Sequence, residues 1–357
     1  MTVHTDCTYF RGDLPCKPHK QHGVHCDNCS YFQPLTKSIL IVKLGAVGDV
    51  IRTTPLLHRI RKEHPDAAIW WLTHTPDVVP SSVNTILRFS TESILVLQAM
   101  QFDLLINLDK DLEACAIANT VKAKEKKGFM LASNGKPMPI DENAEQKFLT
   151  GIFDDISKAN TKSYVEEIFE ICGWEFEGEE YILDVNQYSD EPIPSNGKKV
   201  IGLNTGCGDR WVSRLWEFSR WESLILRLTE KGYFPLLLGG KQEYEKNLEL
   251  SQKTGAYCPP PRKLPEFTAL MNQCDIVVTG VTMALHLGIG LKKRIVVINN
   301  IFNPYEFELY GRGEIIQPEL ECKCYFKQTC TNPDYSCMEH LSVEHVLAAI
   351  ERQIPAL

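Results

Sequence analysis

Three groups of residues have the types and spacing to do chemistry. The first is a carboxylate and two glycines, Gly45, Gly48 and Asp49, which follow an apolar run over residues 39–42. This reads as a buried strand, a glycine turn and a helix with Asp49 at its N-cap, the helical pattern continuing through Ile51, Leu56, Leu57 and Ile60. Such a unit delivers a carboxylate to the C-terminal edge of a parallel sheet, where doubly wound folds bind ligands. The glycines allow a ligand to approach the backbone, and the helix N-terminus offers free N–H groups. The spacing is G-x-x-G and lacks the third glycine of the dinucleotide fingerprint. Taken alone, it equally fits glycines that serve packing and an Asp49 that only caps its helix.

The other two groups are cysteine sets. Of 13 cysteines, Cys7, Cys16, Cys26 and Cys29 precede the first strand, and Cys322, Cys324, Cys330 and Cys337 follow the last. Cys115, Cys172, Cys207, Cys258 and Cys274 are scattered and read as core or loop thiols. Cys26-x-x-Cys29 has knuckle spacing, with His19, His22 and His25 as reserve ligands. Four thiolates, or three with one imidazole, suit a tetrahedral metal. Residues 1–36 have too little apolar content to order themselves readily without one. Structural zinc is expected; iron or an iron–sulfur cluster fits four thiolates as well, and the two sets could also meet in space. Neither set suggests an open coordination position, so no metal is assigned to catalysis.

These residues need elements to position them. The 357-residue chain is 43% hydrophobic, enough for two packed domains. Its net charge of -8 and pI near 5.7 argue against a nucleic-acid binder. The first ten residues are polar and no apolar run is long enough to span a bilayer, so a cytoplasmic protein is expected. Strands are predicted at 39–43, 68–72 and 103–108, helices at 50–63 and 112–121, and a helical stretch at 143–172. A polar, proline-bearing linker is predicted at 186–197. A second series follows, with strands at 199–204, 233–238, 275–279 and 295–298. Its helices are predicted at 219–231, 243–254, 265–273 and 283–291. The expected organisation is a Cys/His-rich module (1–36), a first doubly wound α/β domain (37–190), a second (191–318), and a Cys-rich segment with a C-terminal helix (319–357).

Several motifs, in order, resemble glycosyltransferase family nine, the ADP-heptose lipopolysaccharide heptosyltransferases and their relatives. They are KLGAVGDVIRTTPLL, GLNTGCGDRWVSRLWEFSRW, PLLLGGKQEYEKN and LMNQCDIVVTGVTMALHLGIGLKKRIVVI, followed by NPYEFELYGRG. The resemblance covers about residues 38–350. It implies a GT-B fold, two Rossmann-like domains facing a cleft with 37–190 on the acceptor side and 191–318 binding the nucleotide sugar, and inverting transfer from a nucleotide-diphosphate sugar, ADP-heptose first among donors. The implied acceptor is a lipid-linked saccharide such as the lipopolysaccharide inner core, met at the inner face of the cell membrane, and no metal is required for the chemistry.

By the same resemblance Asp49 is the general base. Arg214, where many relatives carry Lys, holds the donor phosphates with Thr205 and Gly206. Glu243 meets the ribose, and His286 lies near the diphosphate. Arg210 and Trp211 shape the sugar pocket or pack the loop. Plain structural roles stand beside several of these: a solvated first-turn Glu243, a satisfied core His286. One departure stands out. Val281 occupies a position where relatives carry Asp, leaving Thr282 and the N–H groups of the following helix to bind phosphate. That substitution puts the rate or the donor identity in doubt and leaves room for a degenerate GT-B binding protein without catalysis; the alternative within enzymes is a transferase with another nucleotide-sugar donor or a protein acceptor.

Overall fold

A computed structural model describes residues 1–185, 192–208 and 211–356 of the chain. Residues 186–191 of the expected linker, and Arg210, lie outside the described residues. The chain forms two compact units, each an α/β layer structure. One contains residues 1–45, 53–148 and 168–179; the other contains 46–52, 149–167 and 180–357. The segment carrying Asp49 therefore belongs with the second unit, although its flanking strand belongs to the first.

The first unit is built on a six-stranded sheet. Its strands are β1 (Lys37–Val42), β2 (Ala67–Thr73), β3 (Thr85–Arg88), β4 (Gln101–Asn107), β5 (Lys122–Leu131) and β6 (Pro137–Pro139). The order is β3-β2-β1-β4-β5-β6, parallel throughout except for the β5–β6 pair. β1 is the innermost strand at the switch point, and its residues Ile39, Leu40, Ile41 and Val42 are fully buried, as expected of an unbroken apolar run in a parallel sheet. Beyond its end, Lys43 pairs with Asp109, which also accepts from the Leu44 N–H.

The second unit is built on β7 (Val200–Asn204), β8 (Phe234–Leu238), β9 (Ile276–Gly280), β10 (Arg294–Ile298) and β11 (Gly313–Ile316). The sheet runs β11-β10-β9-β7-β8 and is wholly parallel. Its core joins Leu203, Val278 and Val296 to Leu224 and Leu228 of helix Phe218–Glu230 and to Leu347 and Ile350 of helix Val343–Gln353. The α/β, doubly wound expectation holds in both units. Among the described residues, no helix is long and apolar enough to cross a membrane.

Two local readings are corrected. The helix expected over 50–63 is two segments, Val47–Ile51 and Leu56–Glu63, separated at Pro55, whose ring cannot continue the upstream helix. Asp49 is therefore not the N-cap. It sits in the first turn of Val47–Ile51, where Ala46 is the N-cap and donates its backbone N–H to Asp49 Oδ2 at 3.1 Å. The stretch expected over 143–172 is three short helices, Glu145–Thr150, Asp154–Ala159 and Tyr164–Ile171.

Candidate donor and transfer site

The loops that leave the C-terminal ends of β7, β8 and β9 surround a pocket of about 520 Å³ in the second unit. Gly206, Cys207 and Gly208 come from the first loop, and Gly239, Gly240, Gln242 and Glu243 from the second. Thr282, Met283 and Ala284 come from the third, with Arg262, Leu264 and Phe267 closing one side and Val47, two residues before Asp49, lining another. β7 lies between β8 and β9, so this is the switch point of the sheet, the place where open α/β sheets take ligands.

Glu243 stands inside this pocket. Its Oε2 accepts the Gly240 N–H at 2.9 Å, and its carboxylate lies so close to Gly206 that a methyl group there would be 2.2 Å from Oε1. Glycine at 206 is thus a steric requirement of the carboxylate's placement. Thr282 caps helix Met283–Gly290, its hydroxyl accepting the Ala284 N–H at 3.2 Å. Asn204, at the end of β7, donates to Thr282 Oγ1 at 3.2 Å and to Thr279 Oγ1 at 3.0 Å, tying the first loop to the third. Val281 supplies no side-chain donor; its carbonyl is instead held by Arg214 Nη1.

Arg214 is buried beneath the loop. Its Nη2 donates to the Cys207 carbonyl at 3.2 Å, and its guanidinium lies 5.2 Å from the Phe302 ring centroid. It lines a small cavity with Asn204, Thr205, Gly206 and Cys207, and its buried Nε has no hydrogen-bond partner among the described residues. Burial pulls its pKa below the ordinary value, but a guanidinium remains charged. The Thr205 side chain faces inward, donating to Asn247 Oδ1 at 2.6 Å, while its carbonyl accepts from Lys246 Nζ at 2.8 Å. Trp211 packs edge-on against Phe302 and Phe326.

Asp49 and His286 lie in one cluster of the same unit. Asp49 Oδ1 pairs with Arg52 at 2.7 Å. His286, 6% exposed, packs its ring edge on Gly48, where a methyl group would lie 2.5 Å from Cδ2, and stacks on Tyr181. Gly48 therefore serves a close helix-to-loop approach, whereas a side chain at Gly45 would meet open space. Burial, aided by the Arg52 charge, lowers the His286 pKa to about 3, so the imidazole is neutral near pH 7. Sequence reasoning did not single out Asn204, Lys246, Arg262 and Phe267. Asn204 and Lys246 stand inside the quoted motifs, but nothing in their spacing marks them as polar ties.

The two cysteine sets differ. In the C-terminal set Cys324 Sγ and Cys330 Sγ are 3.7 Å apart, and Asn300 Nδ2 donates to Cys337 Sγ at 3.6 Å. Backbone N–H groups of Cys324 and Thr331 point at the sulfurs of Cys322 and Cys324, at 3.4 and 3.1 Å. In the N-terminal set Cys16 caps helix Lys17–His22 and Cys29 donates its N–H to the Cys26 carbonyl at 3.4 Å. Two reserve histidines there are engaged: His19 Nδ1 is 3.0 Å from the Val24 carbonyl and His22 stacks on Tyr31. Among the described residues, no group of three or more His, Cys, Asp or Glu side chains has the arrangement of a metal site.

Comparison with known proteins agrees with the fold. Solved structures that match include a family 9 glycosyl transferase from Veillonella parvula (TM-score 0.69, 16% identity, 91% of this chain and 99% of that one). The E. coli ADP-heptose lps heptosyltransferase II matches at TM-score 0.65 and 15% identity over 89% of this chain and 99% of that one. The iron-containing dodecameric glycosyltransferase TibC of enterotoxigenic E. coli matches at TM-score 0.56 and 14% identity over 90% of this chain and 77% of that one. These likenesses place the two parallel-sheet units in the GT-B fold. No curated protein matches at the sequence level. The family model described as glycosyltransferase family 9 (heptosyltransferase) matches residues 94–336, more than half of the chain, and the chain therefore belongs to that family of glycosyl-transferring enzymes.

Proposed function

We propose that the chain is an inverting glycosyltransferase that moves heptose from ADP-heptose to a saccharide acceptor, the lipopolysaccharide inner core being the first candidate, with Asp49 as general base. The observation that carries this reading is the convergence on one pocket of the Glu243 carboxylate, the Met283–Gly290 helix N-terminus and, through Val47, the one-turn helix that carries Asp49. Glu243 suits the paired ribose hydroxyls of a nucleotide. The N–H groups at the helix start, with the buried Arg214 charge behind the first loop, suit a diphosphate. Asp49 takes the acceptor hydroxyl proton as the new glycosidic bond forms at the anomeric carbon. The bond from that carbon to the donor phosphate breaks, and its electron pair leaves with ADP. Membrane contact would follow from a lipid-linked acceptor.

Calorimetric titration with ADP, UDP and GDP tests the donor. Selective ADP binding, followed by turnover of ADP-heptose, is expected. Selective binding of another nucleotide keeps the fold and replaces the donor, and failure of all three to bind favours the non-catalytic alternative that Val281 raises.

A second reading concerns the C-terminal cysteines: Cys322, Cys324, Cys330 and Cys337 hold a structural metal, zinc or iron. The 3.7 Å sulfur approach and the N–H groups directed at sulfur support it, and TibC, the similar protein, is iron-containing. The same proposal for Cys7, Cys16, Cys26 and Cys29 rests on spacing alone. Elemental analysis of protein never exposed to chelator should find about one ion per occupied set; neither zinc nor iron would remove both.

A further inference from the structure

One buried cation in the transfer cluster has no part in the roles above. Arg52 ends the one-turn helix Val47–Ile51, three residues after Asp49. Its Nη2 is 2.7 Å from Asp49 Oδ1 and its Nη1 is 2.7 Å from Glu306 Oε1. Its guanidinium carbon stands 3.5 Å from the centroid of the Tyr164 ring. The Arg52 side chain is 11% exposed and that of Asp49 33%, so a sealed cation holds a carboxylate that solvent and substrate can reach. The other Asp49 oxygen accepts the Ala46 N–H.

We infer that Arg52 is a positioning residue of the transfer site: braced by Glu306 and Tyr164, it fixes the orientation of the Asp49 carboxylate and keeps it anionic. This rests on Asp49 being the base. The arrangement has a specific logic. One cation shared by two carboxylates leaves a net negative charge, so Asp49 is held as an anion without being fully neutralised. A planar fork can span two carboxylates in fixed directions; an ammonium cannot do so with the same geometry. The titratable groups facing the pair are Glu306 after β10, Tyr164 on helix Tyr164–Ile171, Tyr181, and His286 on helix Met283–Gly290, with Glu308 acting on Tyr181. Burial opposes the Arg52 charge, but Asp49 and Glu306 outweigh it and hold its pKa above the ordinary value. Burial also raises the Tyr181 phenol and lowers the His286 imidazole, so both are neutral at pH 7.

The test is carbon-13 NMR titration of the full-length protein with labelled aspartate, the Asp49 resonance being assigned by its loss in Asp49→Asn. In Arg52→Gln the Asp49 midpoint is expected to rise by about one pH unit or more, the usual effect of removing an adjacent arginine. Arg52→Lys, which keeps the charge, should hold the midpoint low while turnover of ADP-heptose still falls, because the fork is lost. Glu306→Gln should lower the midpoint, since Arg52 then serves one carboxylate. An Asp49 midpoint unmoved in folded Arg52→Gln overturns the inference. Should that variant not fold, an unmoved midpoint in Glu306→Gln does so. Full turnover in Asp49→Asn overturns the base assignment instead, while the titration still reports whether Arg52 holds the anion.

Discussion

Two ion pairs flank the loop that follows β1, one in each unit, and they differ mainly in burial. Lys43 and Asp109 are each 6% exposed, closed off beneath the end of the first sheet. Asp49 and Arg52 are likewise a carboxylate beside a cation, here a guanidinium, but only the cation is sealed and the carboxylate opens to solvent. A sealed pair can only hold the chain together, because neither partner is reachable. A pair sealed on one side converts the same attraction into control of a reachable group. Burial therefore separates the structural carboxylate Asp109 from Asp49, the carboxylate proposed as base.

The comparison breaks most easily at Asp109. Asp109→Ala removes the buried carboxylate partner of Lys43 and the acceptor of the Leu44 N–H, and should cost about 3–5 kcal/mol of stability. Denaturant unfolding would show it as a lower midpoint with an unchanged slope. Asp49→Asn should do the reverse: turnover falls by about a hundredfold or more, the usual scale for a general base, while stability changes by less than about 1 kcal/mol. Should Asp49→Asn unfold the protein, or Asp109→Ala leave it intact, the contrast between the two pairs would be wrong.

The two pairs were not equally legible in the sequence. The loop itself was: an unbroken apolar run, glycines and an aspartate give a strand and a carboxylate at its end, and β1 is where the pattern puts it. The partners were not. Arg52 lies three residues from Asp49, yet its brace, Glu306, is 254 residues away, and no local pattern reports such a contact. β5, KAKEKKGFML, was missed because lysine and glutamate are depleted in strands; here they occupy a largely solvated stretch whose Lys124 pairs with Asp103. The short strand β3 was missed because its residues are half-buried and lack alternation. Glu243, Thr282 and Gly206 were legible through their motifs. The inward turn of Thr205 and the burial of Arg214 were not, since a motif reports position and not the direction of a side chain.

A third carboxylate sharpens the contrast at smaller scale. Glu243 is open to its pocket and rests over Gly206, so Gly206→Ala must push it aside. A glutamate side chain can swing away at little cost to the fold. The expected result is a loss of ADP affinity of roughly tenfold, about 1.4 kcal/mol, with unfolding almost unchanged. Calorimetry on the variant checks it; unchanged affinity would remove Glu243 from nucleotide binding.

His286 is the remaining case, a titratable group that is sealed but whose Nδ1 has no hydrogen-bond partner among the described residues. Its pKa is lowered to about 3 in the folded chain, against about 6.5 when unfolded. Below pH 6.5 the unfolded chain takes up a proton that the folded chain refuses, so stability is full above that pH and falls as pH drops toward 3. The slope approaches 1.4 kcal/mol per pH unit, or about 1.4 kcal/mol lost by pH 5.5. His286→Gln should flatten this part of the stability profile, with little change at pH 7.5, as measured by denaturant midpoints across the range. A profile of the same slope in the variant would mean that His286 protonates in the folded state. In that event burial would not have sealed it, and the rule drawn from Lys43 and Asp109 would not extend to the cluster that holds Asp49.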